Sequence, residues 1–363
     1  MTLVALPARA LDTPAREAVV MDHATGDILA GKKAHQKMPP ASMTKIMTAY
    51  LVFERLKDGR LSLDDTFRVS EKAWRKGGSK MFVEVGNTVR LEDLLRGIVI
   101  QSGNDASIVV AEGLAGSEAA FAEIMTAKAR ELGLEETTFK NATGWPDPAH
   151  RTSAADLAEL SRQLIKRFPE YYPYFAEREF TWNGIRQFNR NPLLRRNLGV
   201  DGLKTGHTQN AGYGLTASAE REGRRLIVVV NGLDSPRQRA EEAARLLQWG
   251  FREFETYTLF AAGEAVDTAP VWLGEAPRVP LVVPEDITLT LRRDAIDEMT
   301  VTLRYESPIP APIAKGTKLA TLDIDVPGRE ITEIPLRAGA DIAQKGPLGR
   351  VLSGVEFLIF GAP

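Results

Sequence analysis

The sequence predicts an α+β chain of two domains, an antiparallel sheet covered by helices on both faces with a helical subdomain, then a small all-β domain. Strand-like stretches near the N-terminus and again after residue 200 bracket a long block of helical periodicity. Beyond Tyr257 that periodicity stops, prolines gather, and short alternating runs take over.

The elements follow in order. Ala18-Val19-Val20-Met21 and Ile28-Leu29-Ala30 flank Ala24-Thr25-Gly26-Asp27, the pattern of a hairpin. Pro39 and Pro40 break the chain before a helical pattern through Ile46, Met47, Tyr50 and Leu51. Helical periodicity returns over 91–100, 105–114, 118–132 and 154–166. Strand character resumes over 203–208, 212–218 and 225–231, the last two joined by a polar turn containing Gly223. Pro236 opens a closing amphipathic helix that runs to about Trp249.

In the second part Pro270, Pro277, Pro280, Pro284, Pro308, Pro310 and Pro312 punctuate strands at 287–291, 300–305 and 319–324. The expected division is a residual leader at 1–12, a catalytic domain at 13–257, a β domain at 258–347 and a tail at 348–363. The leader rests on the apolar stretch 2–10, which ends in Ala8-Arg9-Ala10 and lacks a basic start, like a truncated secretory signal cleaved near Ala10. In the tail, Val351, Leu352, Val355, Leu358 and Ile359 share a helical face. That face suits peripheral membrane contact; docking on its own domain suits it equally.

Composition narrows the chemistry. Forty-six basic and forty-eight acidic residues leave a net charge of −2, which argues against a nucleic-acid partner. The absence of cysteine excludes a disulfide framework, a thiolate metal site and a cysteine nucleophile. The four histidines, His23, His35, His150 and His207, form no H-E-x-x-H. No metal or other cofactor is called for.

Three short strings then carry the argument: Ser42-Met43-Thr44-Lys45, Ser102-Gly103-Asn104 and Lys204-Thr205-Gly206. Chance alone supplies about one S-x-x-K in a chain this long. An S-x-x-K opening a helix, an S-x-N between helices and a K-T-G on a strand, in that order, are the parts of a serine acyl-transfer site. Three residues apart on a helix, Ser42 and Lys45 share a face with Cβ atoms about 5–6 Å apart. A hydroxyl in a first helical turn also sits where free N–H groups and the dipole favour an oxyanion. Serine needs a base, and lysine serves as one only when burial or a second cation lowers its pKa. Lys204 is the obvious second cation. Ser102 can pass a proton to a leaving amine, and the Asn104 amide can bind Lys45 and a peptide group. Lys204 and Thr205 can hold a carboxylate, while Gly206 clears the path for a substrate backbone. Taken singly, these strings read as a polar helix start, a turn with an N-cap, and an exposed strand lysine.

Together with Pro40-Ala41-Ser42, Gln101-Ser102-Gly103-Asn104-Asp105, Asn183-Gly184-Ile185-Arg186-Gln187 and the run from Val200-Asp201-Gly202-Leu203 to Gly206-His207-Thr208, they give the chain its likeness. It resembles serine-type D-alanyl-D-alanine carboxypeptidases, the low-molecular-mass penicillin-binding proteins of type five, from about Arg16 to about Ile359. The resemblance implies a penicillin-recognising transpeptidase-like domain, then a small β-sandwich, in a periplasmic protein held at the outer face of the inner membrane. It implies Ser42 as acylated nucleophile, Lys45 as base, and Ser102 and Asn104 in proton relay and positioning. Lys204, Thr205 and Gly206 would bind the substrate, Arg239 would help hold its carboxylate, and His207 would shape the rim. The implied substrate is a peptidoglycan stem peptide ending in D-Ala-D-Ala, with β-lactams as covalent inhibitors.

Three departures stand out. Where the family often has a histidine this chain has Asn141-Ala142-Thr143-Gly144, so no role passes to Thr143. The loop Lys76-Gly77-Gly78-Ser79-Lys80-Met81 is short, and the tail is shorter and less basic than the resemblance suggests. Other readings are a β-lactamase, disfavoured because no E-x-x-L-N lies between the second and third strings, a D,D-endopeptidase, and a non-enzymatic cell-wall-binding protein.

Overall fold

The computed structural model describes residues 11–327 and 330–351. Most of the leader at 1–12, and the tail beyond Val351, lie outside the described residues. The chain divides into two compact units between Arg252 and Glu253. The division falls ahead of Tyr257 because the strand Phe254–Phe260 already pairs with Ile287–Arg292 of the second unit.

The first unit is built on five antiparallel strands: β1 (Glu17–Asp22), β2 (Ile28–Lys32), and the three that close the unit. Before those three come α1 (Lys45–Lys57), β3 (Thr66–Arg68), α2 (Glu71–Arg75), β4 (Thr88–Arg90), α3 (Leu91–Val99), α4 (Asn104–Ala115), α5 (Glu118–Glu131), α6 (Ala154–Arg167), β5 (Glu179–Trp182) and β6 (Ile185–Phe188). The closing strands are β7 (Val200–Thr208), β8 (Gly212–Arg221) and β9 (Arg224–Leu233), followed by α7 (Pro236–Glu253). The sheet order is β2-β1-β9-β8-β7, so the N-terminal hairpin pairs with the last strand. Register is tightly specified, with Val19 opposite Val229 and Lys204 opposite Thr216.

Alternation places helices on both faces. Val19, Met21, Ile227 and Val229 join a core with Ile46 and Met47 of α1 and Leu157 and Leu164 of α6. On the other face α7 comes so close that a Cβ on Gly250 would lie 2.8 Å from Leu226 and 3.1 Å from Val20. Serine caps start the helical block cleanly: Ser117 Oγ accepts from Ala120 N, and Ser153 Oγ from Asp156 N. Gly116 ends α4 in the left-handed region.

The helical block is less purely helical than its periodicity suggests. It contains the small antiparallel pair β3–β4, with α2 in the connection between them, and the hairpin β5–β6 follows it. The β5–β6 turn is Asn183-Gly184, both at positive φ (48° and 75°), the backbone that a two-residue hairpin demands.

The second unit is all-β: β10 (Phe254–Phe260), β11 (Ala265–Trp272), β12 (Arg278–Val282), β13 (Ile287–Arg292), β14 (Thr300–Arg304), β15 (Ile309–Pro310), β16 (Lys318–Asp325) and β17 (Thr332–Ala338). A six-stranded sheet ordered β14-β16-β17-β12-β11-β15 lies with the pair β10-β13. Val279, Leu281, Leu322 and Leu336 from the large sheet share one core with Ile287 and Leu291 from the small one. Two sheets over one core form a sandwich. Among the described residues, no helix is long and apolar enough to cross a membrane.

Candidate active site

A cleft of about 600 Å³ opens in the first unit, and all three strings reach it. Ser42 is carried on a 3-10 turn, Ala41–Thr44, that runs into α1, rather than on α1 itself. Three residues per turn eclipse positions i and i+3, so Ser42 and Lys45 line up. Lys45 Nζ lies 3.1 Å from Ser42 Oγ. Its other donations go to Asn104 Oδ1 at 2.8 Å and the Thr143 carbonyl at 2.7 Å.

Lys45 is 0% exposed. Burial is the main force bringing its pKa down to about 7, with the Arg190 charge adding to it. Of the two causes expected, burial and a second cation, burial is the larger for Lys45, while the repulsion between Lys45 and Lys204 is felt at Lys204. Lys204 is itself 2% exposed and held well below the usual lysine range by burial, then by the charges of Lys45, Arg190 and Arg239. A cation buried among cations is incomplete without an anion.

The second string is more than a turn with a cap. Ser102 takes a left-handed φ of 66°, a conformation that is costly for serine. Its buried Oγ has no hydrogen-bond partner among the described residues. Gly103 is the N-cap of α4, which frees the Asn104 side chain for Lys45 and, through Nδ2, the Gly77 carbonyl at 2.9 Å. Asp105, which the sequence reading quoted without giving it a task, ties this turn to its neighbour. Its carboxylate accepts from Met81 N and Phe82 N, both at 2.8 Å.

On β7, Thr205, Gly206 and His207 line the cleft, while Lys204 Nζ donates to the Thr205 carbonyl at 3.3 Å. Gly206 has a different task from the one expected. A Cβ there would lie 2.8 Å from the Pro40 carbonyl and 3.2 Å from Met43 Cγ. It lets β7 close on the nucleophile's own turn rather than clearing room for substrate. His207 stacks on Tyr213 at 3.9 Å between ring centroids, and the Arg239 guanidinium lies 5.8 Å from the same Tyr213 ring. Arg239 lines the cleft, its buried Nε without a hydrogen-bond partner among the described residues.

Sequence reasoning missed Arg190, which lines the cleft and burdens Lys45, Lys204 and Arg239 with its charge. It also left Thr143 without a role, although that residue's carbonyl holds Lys45. A backbone contact leaves no trace in residue type. Gly144, at φ 82°, sits so close to the nucleophile's turn that a Cβ would meet the Ala41 carbonyl oxygen at 1.8 Å.

Comparison with known proteins agrees with this geometry. Residues 4–235 match the family described as D-alanyl-D-alanine carboxypeptidase (Peptidase_S11), and residues 254–344 match the C-terminal domain of penicillin-binding protein 5. The chain belongs to the D-alanyl-D-alanine carboxypeptidase family. It is 41% identical to the carboxypeptidase DacC of Escherichia coli over 345 residues, 93% of this chain and 86% of the relative. It is 37% identical to DacF of Bacillus subtilis, over 92% of this chain and 87% of the relative. Penicillin-binding protein 5 of Haemophilus influenzae superposes with a TM-score of 0.83 at 35% identity, covering 92% of this chain and 99% of that one. Penicillin-binding protein D2 of Listeria monocytogenes, solved in a cefotaxime-bound form, matches with a TM-score of 0.61 at 31% identity, over 66% of this chain and 98% of that one. The carboxypeptidase is thus a serine-type enzyme with an α+β catalytic unit and an all-β companion.

Proposed function

We propose that this carboxypeptidase removes the terminal D-alanine of peptidoglycan stem pentapeptides through an acyl-enzyme on Ser42. The hydrogen-bonded pair of Ser42 Oγ and a buried Lys45 supports the reading most directly. A neutral Lys45 takes the Ser42 proton as Oγ attacks the carbonyl between the last two D-alanines. Ser102, whose hydroxyl has no partner among the described residues, passes a proton to the departing amine. D-Alanine leaves, and water then hydrolyses the ester to restore Ser42. Lys204, Thr205 and Arg239 hold the terminal carboxylate, with Gly206 and His207 shaping the wall and Asn104 positioning Lys45 and the peptide.

A β-lactam enters as a mimic of the dipeptide and stays on Ser42. Such a substrate places the enzyme in the periplasm, in peptidoglycan maturation and maintenance of cell shape. Attachment to the membrane through the tail at 348–363 belongs to the same reading. The test is mass spectrometry after penicillin treatment. A single adduct on the peptide containing Ser42 is expected, and an adduct on Ser42→Ala would overturn the assignment.

A further inference from the structure

The cleft has a side pocket. A cavity of about 180 Å³ adjoins it and shares Gly144, Trp145, Pro146 and Thr208 with its wall. Pockets for a whole small molecule begin at about 300 Å³; this one suits a single side chain. It reaches Pro39, Pro40 and Ala41, the three residues before Ser42. Prolines at 39, 40, 146 and 148 stiffen the wall, so little order has to be imposed on binding. The Trp145 indole is 43% exposed, and the Lys76 ammonium, 4.0 Å from its ring centroid, helps to hold it.

Two opposite charges, Asp147 and Arg151, stand in this largely apolar wall. Asp147 Oδ1 accepts from Ala149 N at 2.7 Å. The Arg151 guanidinium makes only long bonds to the carbonyls of Asp147 and His150, at 3.3 and 3.2 Å. Neither residue forms an ion pair among the described residues. A side chain that ends in both a carboxylate and an ammonium would answer both charges, with its aliphatic stem along the indole and the prolines.

The pocket's place along the substrate follows from β7. That strand is the edge of its sheet, free to pair with an extended peptide. The residues proposed above to hold the terminal carboxylate, Lys204, Thr205 and Arg239, stand outside the pocket. With D-alanine as leaving group the substrate ends at that carboxylate, so the rest of the peptide belongs to the acyl donor. Thr208, three residues beyond Thr205 on β7, is where the cleft passes into the pocket. An extended chain advances about 3.5 Å per residue, so the residue preceding the two D-alanines comes beside the shared wall.

We propose that this pocket selects the third residue of the stem peptide, favouring a diamino diacid over a residue that carries the ammonium alone. Arg151 receives the side-chain carboxylate and Asp147 the ammonium. The proposal rests on the acyl-enzyme reading above.

The experiment gives the full chain two pentapeptides that differ only at the third residue, meso-diaminopimelate or L-lysine, and measures D-alanine release. Wild type, Arg151→Gln and Asp147→Asn are compared, with fluorescent-penicillin labelling as the check on folding. Wild type should favour the diaminopimelate peptide by about tenfold in kcat/KM. Arg151→Gln should abolish that preference by losing on the diaminopimelate peptide, chiefly through KM, while the lysine peptide stays within about twofold. Asp147→Asn should weaken both peptides, since both carry the ammonium. No preference for the diacid in wild type, a preference that survives Arg151→Gln, equal losses on both peptides in that variant, or unchanged values in Asp147→Asn would overturn the proposal. Release of D-alanine from neither peptide by wild type would instead overturn the carboxypeptidase reading itself.

Discussion

Lys45 Nζ stands 3.1 Å from Ser42 Oγ and is fixed from two other sides, by Asn104 Oδ1 and the Thr143 carbonyl. Three acceptors around one buried nitrogen leave it no freedom to turn away, so the base is positioned before substrate arrives. With a pKa of about 7, it is protonated and inactive in acid and a free amine in mild alkali. Acylation by fluorescent penicillin should therefore rise with pH along a limb centred near 7. Arg190→Gln removes a neighbouring cation, raises the Lys45 pKa and moves that limb to higher pH. A rate that stays flat between about pH 5 and 9 would remove Lys45 as the base.

Gly144 holds a left-handed φ, and a Cβ there would overlap the Ala41 carbonyl oxygen at 1.8 Å. The obstacle is backbone, which cannot rotate aside. Gly144→Ala should lose on the order of 3 kcal/mol of stability and displace the Ser42 turn. Thermal unfolding and penicillin acylation read the two effects separately. Wild-type values in both would show that the loop does not brace the nucleophile.

Arg239 reaches the cleft from α7 with a buried Nε that nothing among the described residues satisfies, beside a Lys204 that burial and neighbouring cations hold well below its usual range. A substrate carboxylate would satisfy both. Removing one charge-assisted contact costs about 2 kcal/mol. Arg239→Ala should therefore raise KM for a D-Ala-D-Ala peptide by about thirtyfold and alter kcat much less. A fall in kcat at constant KM would place Arg239 in the chemical step instead.

Much of this site was legible because its parts are side chains with recognisable spacing. The 42–45 interval follows from helical geometry, and the order of the three strings survives any fold that brings a strand beside a helix start. The five-strand sheet was legible too, since the runs at 18–21 and 226–230 are continuously apolar, as strands covered on both faces must be. What escaped has physical reasons. The Thr143 carbonyl and the close approaches at Gly144 and Gly206 are properties of backbone, which carries no residue signature. Arg190 is one arginine among many until β6 and the loop after it deliver it to the cleft. The β5–β6 hairpin does carry a local signal, Asn183-Gly184 between short alternating runs. Lys204 was expected to tune Lys45 by charge. Desolvation of a fully enclosed ammonium outweighs any single neighbour.

A last consequence concerns acid. His150 is 2% exposed, with Nε2 2.8 Å from Thr44 Oγ1 and Nδ1 accepting from Lys140 N. Because Nδ1 accepts, the ring is neutral and Nε2 carries the hydrogen toward Thr44. A second proton would meet the Lys140 N–H and has no water to stabilise it. Burial accordingly lowers the His150 pKa to about 4. Between that value and the ordinary 6.5, the unfolded chain binds a proton that the folded one refuses. The stability is fully present above pH 6.5 and is lost as pH falls through 4, amounting to roughly 3 kcal/mol. Thr44 sits between Ser42 and Lys45 in sequence, so loss of this brace loosens the nucleophile's turn as well. The measurement is the slope of Tm against pH for wild type and His150→Gln. The variant starts lower at neutral pH, having lost the ring's packing, but should fall less steeply between pH 6.5 and 4. Parallel slopes would mean that His150 takes up no proton on unfolding, and the neutral-ring assignment would fail with it.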